Sequence, residues 1–155
     1  MTTATTTDTD RIERSVHIKA PRSRVWRALS DAEQFGTWFG AALKGKKFAA
    51  GQRVEAPMTI KGHEHVPFDI VVERVEPEDL MSYRWHPRTG DSDYSKEERT
   101  LVTFTLKDVD GGTLLTVTET GFDKLPPARR MEAFRSNSGG WEFQLKRIEE
   151  YASAK

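Results

Sequence analysis

The sequence predicts an α+β fold in which a curved antiparallel sheet wraps around one long C-terminal helix. Apolar residues recur at steps of three and four over the last forty residues, which is typical of one face of an amphipathic helix. About seventy residues upstream alternate between apolar and polar side chains and are interrupted by short turns, as antiparallel strands are. Each of these elements has one apolar face, and covering the sheet with the long helix buries both faces.

The elements follow one another in a definite order. A first strand is predicted over residues 12–18, where β-branched residues alternate with polar ones. Residues 22–30 are predicted to form a short helix, and Asp31 is a good N-cap for a second short helix that ends at Gly40. Further strands are predicted over residues 43–48, 52–60, 66–75, 80–85, 99–107 and 113–120, with a polar loop over residues 86–98.

The last helix is predicted to begin near Pro127 or Ala128 and to run to about Tyr151. Its centre carries Ser138-Gly139-Gly140, although each glycine in a helix interior costs roughly 1 kcal/mol relative to alanine. A helix that gives up side-chain volume at its centre leaves room beneath it, so a cavity is predicted between sheet and helix near Ser138 and Gly139. The apolar seam around this gap consists of Met131, Phe134, Trp141, Leu145, Ile148 and Ala152.

Length and charge limit the classes of function. A chain of 155 residues is long enough for one domain with its own core, predicted over residues 11–155 after a disordered, threonine-rich tail of residues 1–10. Lys plus Arg and Asp plus Glu both number 24, so the formal net charge is zero. A neutral chain gives no reason to expect a nucleic-acid partner or an anionic membrane surface.

The chain has no cysteine, which excludes a disulfide framework, a thiolate nucleophile and a cysteine-ligated metal. His63 and His65 could share an ion, but no third ligand follows at a clear spacing, so no metal is predicted. His86 follows a strand end where a general base could stand, yet no serine or acid is placed to complete a triad. The N-terminal residues lack the apolar run of a signal peptide or a membrane span, so a cytoplasmic location is expected.

Glu119 is the most unusual polar residue of the predicted sheet. It shares a face with Leu115 and Val117 by the period of two, so the pattern directs its carboxylate toward the core and the helix. A buried carboxylate is costly unless it is paired or protonated, and such groups tend to mark functional sites. The alternative is that Glu119 stands at a strand end, either hydrated or paired with an arginine.

Three segments resemble a known superfamily. They are IKAPRSRVWRALSDAEQFGTWFG near the start, ERVEPEDLMSYRW in the middle, and GGTLLTVTETGF followed by GGWEFQLKRIEEY near the end. In this order they are similar to the helix-grip superfamily of START-like, Bet v 1-like (SRPBCC) domains, and most similar to the family of the C-terminal domain of the activator of Hsp90 ATPase. The resemblance covers residues 11–152 and implies the helix-grip fold. This superfamily holds lipid binders, cyclases, hydrolases and co-chaperone modules, so the resemblance leaves the function open.

The first functional interpretation is non-catalytic binding of a small hydrophobic ligand between the sheet and the C-terminal helix. The chain has more aromatic residues than a small core needs, and ligand sites are mostly apolar with few polar groups. Glu119, Tyr83 and Arg84 would orient a polar group of the ligand. No catalytic residue, metal or cofactor is predicted. The residues predicted to contact the ligand are Trp38, Phe39, Tyr83, Trp85, Phe104, Val117, Glu119, Phe122, Phe134, Ser138 and Trp141.

Two alternatives stand beside this interpretation. One is a stress-linked, co-chaperone-like interaction module, a monomer or homodimer whose partner is a chaperone or another protein. The eukaryotic co-chaperone has a separate N-terminal domain, and the predicted tail of residues 1–10 is expected to be too short to form one. The other is a cyclase or hydrolase with Glu119 or His86 as acid or base. A second titratable group beside Glu119 would favour the enzyme, whereas a filled cavity would favour the interaction module.

Overall fold

The computed structural model describes residues 10–87 and 96–153, so most of the predicted tail and of the polar loop lies outside the described residues. Six strands form one antiparallel sheet, which confirms the predicted α+β helix-grip fold. The strands are Arg11–Ile18 (β1), Arg53–Pro57 (β2), Pro67–Glu76 (β3), Leu80–Trp85 (β4), Thr100–Val109 (β5) and Gly112–Thr120 (β6). Their order across the sheet is β1-β6-β5-β4-β3-β2, so the first two strands of the chain lie at opposite edges.

The predicted strand over residues 43–48 is wrong. This segment is a loop, and next to it Ala41 forms an isolated bridge with Met58. Leu43 and Phe48 are both buried, but they are separated by an odd number of positions, and a strand would direct them to opposite faces. A loop is the conformation that buries both side chains in the same core.

Two short helices connect β1 to the rest of the sheet, as predicted. They are Arg22–Ser30 (α1) and Ala32–Phe39 (α2). The side chain of Asp31 caps α2 by accepting a hydrogen bond from the backbone N–H of Gln34 at 3.4 Å. Gly40 ends α2 in the left-handed region at φ 99°, a conformation that favours glycine.

The long C-terminal helix, Pro127–Ser153 (α3), is continuous through Gly139 and Gly140. None of the helices in the described part of the chain is both long and apolar enough to cross a membrane. The second half of α3 follows the predicted seam, with buried side chains at Trp141, Leu145, Ile148 and Ala152.

The first half of α3 departs from the predicted seam. Met131 is 45% exposed, and Ala133 is the buried residue of this half. At roughly 100° per residue, Met131 lies about 80° from Trp141 around the helix, which places it at the edge of the inward face. Phe134 lies on that face and packs against Phe122, with ring centroids 5.4 Å apart.

Aromatic side chains fill the centre of the space between the sheet and the helices. Phe35 of α2 is fully buried there, and its ring has neighbours from α2, the loop after it and three strands of the sheet. Its ring-to-ring distances run from 4.7 Å for Trp38 to 6.4 Å for Tyr83 and Phe104. The remaining space lies beyond this cluster, where β4 ends at Trp85.

Candidate functional site

A pocket of about 440 Å³ opens between the middle of α3 and the ends of β3 and β4; we name it the α3 pocket. The chain leaves the sheet after Pro57, three residues earlier than predicted, and Met58, Ile60 and Val66 from this excursion form one side of the pocket. The cavity was predicted near Ser138 and Gly139, but neither residue lines the pocket, which lies further around the helix.

Three aromatic rings form the inner wall of the α3 pocket. Phe39 is the last residue of α2, Phe68 lies on β3, and Trp85 is the last residue of β4. Their ring centroids lie 5.3 Å apart for Phe39 and Phe68, and 6.1 Å apart for Phe39 and Trp85. Rings held this way present apolar surface at low entropic cost, because each has few rotatable bonds.

The roof of the pocket is one flank of α3. Asn137, Gly140 and Gln144 line it at helical spacing, together with Phe143, which is 53% exposed. A Cβ atom built on Gly140 would meet nothing within 4 Å, so the missing side chain is open space in the pocket. Gly139 does not line the pocket, because it lies about 160° from Trp141 and faces away from the sheet.

Behind the Trp85 wall, the carboxylate of Glu119 is fully buried, as the period-two pattern predicts. Trp141 Nε1 donates to Oε1 at 2.8 Å, and Trp85 Nε1 donates to Oε2 at 2.9 Å. Thr100 Oγ1 donates to Oε2 at 2.5 Å, and Asn137 Nδ2 lies 3.0 Å from both oxygens. We call these five residues the Glu119 cluster.

In the Glu119 cluster, every donor that hydrogen-bonds to the buried carboxylate is a neutral side chain. Its donors come from β4, β5 and α3, so one carboxylate ties three strands of the sheet to the helix. None of the four donors titrates near neutral pH, and the second titratable group that an acid–base pair requires is not among them. The geometry is that of a fixed structural charge which orients Trp85 and Asn137, two residues of the pocket lining.

Tyr83 lies next to this cluster, fully buried on the inner face of β4. Its hydroxyl makes no hydrogen bond to any described residue. Burial raises the pKa of the Tyr83 hydroxyl well above its usual value, and the charge of Glu119 raises it further. Tyr83 is therefore a neutral phenol in the core rather than a group that ionises in use.

Gln144 is a second carboxamide in the roof, only 8% exposed. Its Nε2 donates to the backbone carbonyl of Phe39 at 3.0 Å, which fixes the orientation of the amide because a carbonyl can only accept. The opposite end, Oε1, is buried and has no hydrogen-bond partner among the described residues.

Asp69 contributes a charge to the opposite wall of the pocket. Arg53 holds it in a two-pronged ion pair, with Nε 3.0 Å from Oδ1 and the terminal nitrogen 2.8 Å from Oδ2. Burial raises the pKa of Asp69, but the hydrogen bonds and charge of Arg53 outweigh this, so the pKa lies below its usual value.

The structure places the predicted contact residues in four groups. Phe39 and Trp85 line the α3 pocket. Glu119 and Trp141 form the cluster behind it, while Tyr83, Phe104 and Val117 are fully buried in the core. The remaining predicted residues make other contacts, which are Trp38 Nε1 with the Ala28 carbonyl at 2.7 Å, Phe122 with Phe134, and Ser138 Oγ with Arg14 at 2.5 Å.

Sequence reasoning missed Phe68, Asn137 and Gln144, and it named Gly140 as part of the gap in α3 but centred the cavity on Ser138 and Gly139. A signal for the roof residues was available, since Asn137 and Gln144 are separated by two helical turns and flank the apolar seam on one side. Polar residues at this spacing usually belong to the solvent-exposed face of a helix, so these two residues were not predicted to line a pocket.

Known proteins share this architecture. The family model for "Activator of Hsp90 ATPase homolog 1-like protein" matches residues 19–153. A comparison with functionally curated proteins gives no match. Among solved structures, a protein of Mesorhizobium loti is 25% identical with a TM-score of 0.72, over 94% of this chain and 98% of its own.

Two more distant structures are similar in fold alone. A protein of Nitrosomonas europaea is 15% identical with a TM-score of 0.72, over 97% of this chain and 99% of its own. The Aha1 dimer of Colwellia psychrerythraea, a solution structure, is 16% identical with a TM-score of 0.65, over 90% of this chain and 93% of its own.

Proposed function

Because this chain belongs to the family of Activator of Hsp90 ATPase homolog 1-like proteins, and because a pocket opens inside its helix grip, we propose that it binds a small apolar molecule there without transforming it. The observation that carries the proposal is the α3 pocket itself. Its volume of about 440 Å³ falls in the range of small-molecule sites, which is about 300–1,000 Å³. Its inner wall is aromatic, as such sites commonly are.

Binding is favoured over catalysis by the surroundings of Glu119. A general acid or base must reach the substrate, but both oxygens of Glu119 already accept hydrogen bonds from protein donors. The carboxylate also lies behind Trp85 rather than in the pocket lining. These contacts support a role for Glu119 in shaping the pocket.

The test fills the pocket at one glycine and uses its neighbour as the control. Gly140→Leu adds a side chain to the pocket roof, whereas Gly139→Leu adds the same side chain on the outer face of α3. Both substitutions raise helix propensity equally, so a difference between them reports the pocket. The probe is N-phenyl-1-naphthylamine, a neutral molecule whose fluorescence rises in apolar surroundings.

The wild-type protein and Gly139→Leu are expected to bind the probe with equal affinity, and Gly140→Leu at least about tenfold more weakly. Equal binding by all three proteins would place the probe elsewhere and refute the proposal, as would no binding by the wild type. Native mass spectrometry of protein purified from its own cell would then identify the natural ligand by its mass.

The family match supports a second candidate, a co-chaperone-like interaction role. Among the described residues, the exposed large apolar side chains are Met131 and Phe143. They lie about 120° apart around α3, so they do not form one stripe on the helix surface. A pull-down with a purified Hsp90-type chaperone tests this role, and binding that survives Gly140→Leu would support it independently of the pocket.

A further inference from the structure

The two carboxamides in the roof of the α3 pocket are oriented by protein acceptors. Asn137 directs its N–H groups at the carboxylate of Glu119, and Gln144 donates to the carbonyl of Phe39. A carboxylate and a carbonyl only accept hydrogen bonds, so neither amide can turn its oxygen toward them. In both side chains the unused end of the amide is therefore the oxygen.

Neither oxygen accepts a hydrogen bond from the described part of the chain. Gln144 Oε1 is buried without a partner among the described residues, and Asn137 makes no hydrogen bond within the described chain other than those to Glu119. A buried acceptor without a partner costs free energy, and a ligand that supplies a donor recovers it. The bond from Asn137 to a carboxylate also polarises its amide, which strengthens the oxygen as an acceptor.

The indole of Trp85 is oriented by the same carboxylate. Its N–H points at Glu119 behind the wall, so the pocket side of Trp85 presents only ring surface. Asp69 adds a third acceptor. The described pocket lining contains no lysine or arginine, and its remaining polar side chains are His63, His86 and Ser136. At the Trp85 wall and the α3 roof, Glu119 engages the indole N–H and the amide of Asn137, and Phe39 engages the amide of Gln144, so these three side chains present acceptors and ring surface.

We propose that the α3 pocket selects ring-containing molecules that carry a hydroxyl or N–H donor, which Asn137 and Gln144 accept, and disfavours carboxylates. Glu119 is the positioning residue of this selectivity, because it fixes Asn137 and Trp85 from behind. This inference rests on the proposed binding function and names the chemical class of its ligand.

The test compares isosteric probes in ¹⁵N-labelled protein by NMR titration. Indole carries an N–H donor, and benzofuran has the same shape with an ether oxygen in its place. The wild type is expected to bind indole about threefold to tenfold more tightly, the value of one added hydrogen bond. Benzofuran-2-carboxylate is expected to bind more weakly than benzofuran at pH 8, above the range in which histidine side chains ordinarily titrate.

Two variants identify the acceptors. In Gln144→Met and in Asn137→Leu the side-chain length is retained and the acceptor is lost. The ratio of the affinity for indole to the affinity for benzofuran is therefore expected to fall toward one, while benzofuran still binds. Ser136→Ala is the control, because it removes a hydroxyl from the pocket lining beside Asn137 without touching either carboxamide. If Asn137→Leu does not fold, the affinities of Gln144→Met and of the wild type for the two probes still test the proposal.

Failure of the inference is distinct from failure of the binding function. If indole and benzofuran bind equally and Gly140→Leu abolishes both, the pocket binds ligands but the donor selectivity is refuted. A preference for indole that survives in both acceptor variants, or tighter binding of the carboxylate than of benzofuran, also refutes it. If none of the probes binds, the binding function and the inference are both refuted.

Discussion

Trp85 and Trp141 lie nearly parallel, with ring centroids 5.7 Å apart and planes 25° apart, and they donate their indole N–H groups to opposite oxygens of Glu119. One residue ends a strand and the other lies at the centre of α3. Through this shared acceptor, one carboxylate ties the centre of the helix to the end of β4.

Removing that carboxylate is expected to destabilise the fold. Glu119→Ala leaves two indole N–H groups, a hydroxyl and an amide without their acceptor, and we expect a loss of about 3 kcal/mol or more in urea denaturation. Glu13→Ala is the control, because Glu13 pairs with Arg11 on the surface, where an ion pair contributes about 0–1 kcal/mol. Equal losses in the two variants would contradict the structural role of Glu119.

Trp141→Ala is expected to lower the free energy of unfolding by about 3–5 kcal/mol, because it removes a large buried ring and one donor of the Glu119 cluster. Phe143→Ala, two residues further along α3, removes a half-exposed ring and should cost less than about 1 kcal/mol. Thermal melting of the two variants checks this contrast. Similar melting temperatures would mean that α3 is docked by a different face.

Tyr83→Phe is expected to leave stability at pH 8 unchanged or to raise it by about 1 kcal/mol, because the buried hydroxyl has no partner among the described residues. The variant should also change the response to alkali. Since the folded-state pKa of Tyr83 is raised, the unfolded chain loses this proton first above about pH 10, and stability falls by up to about 1.4 kcal/mol per pH unit. Urea denaturation between pH 8 and 11 should show a shallower decline in Tyr83→Phe, and identical slopes would contradict the assignment.

Asp69 is expected to contribute to acid sensitivity. Its folded-state pKa is lowered, so the stabilisation from its pair with Arg53 is present above the unfolded pKa of about 4 and is lost as the pH falls through the lower folded value. Asp69→Asn should therefore be less stable than the wild type at pH 7, and this difference should shrink as the pH falls below about 4. A difference that is constant from pH 7 to pH 3 would show that the ion pair does not act through this titration.

The fold was predictable because its information is local. The period of two in the strands and the steps of three and four in α3 are set by the backbone geometry of each element. The strand prediction for residues 43–48 was wrong because a short loop with a buried apolar residue at each end, Leu43 and Phe48, resembles a strand in composition. The prediction that Met131 lies on the buried seam was wrong because steps of three and four residues drift around a helix, so a long seam does not stay on one line.

The candidate site was predictable only in part. Strand parity was enough to direct Glu119 inward, since it depends on Leu115 and Val117 alone. The donors of Glu119 come from separate segments of the chain, and no local pattern specifies which of them meet. Helix geometry alone could have predicted which glycine of α3 lines the pocket, because a rotation of roughly 100° per residue places Gly139 on the outer face and Gly140 at the pocket.

The order of the strands has a consequence for how the protein folds. β1 pairs with β6, so Arg11 lies opposite Thr120 from more than one hundred residues later in the chain. Pairings this distant in sequence slow folding, because a long loop must close before any contact compensates for its lost entropy. A nascent chain that does not yet include α3 lacks two donors of Glu119, Asn137 and Trp141, so the sheet is expected to reach its final packing only after synthesis of the last helix.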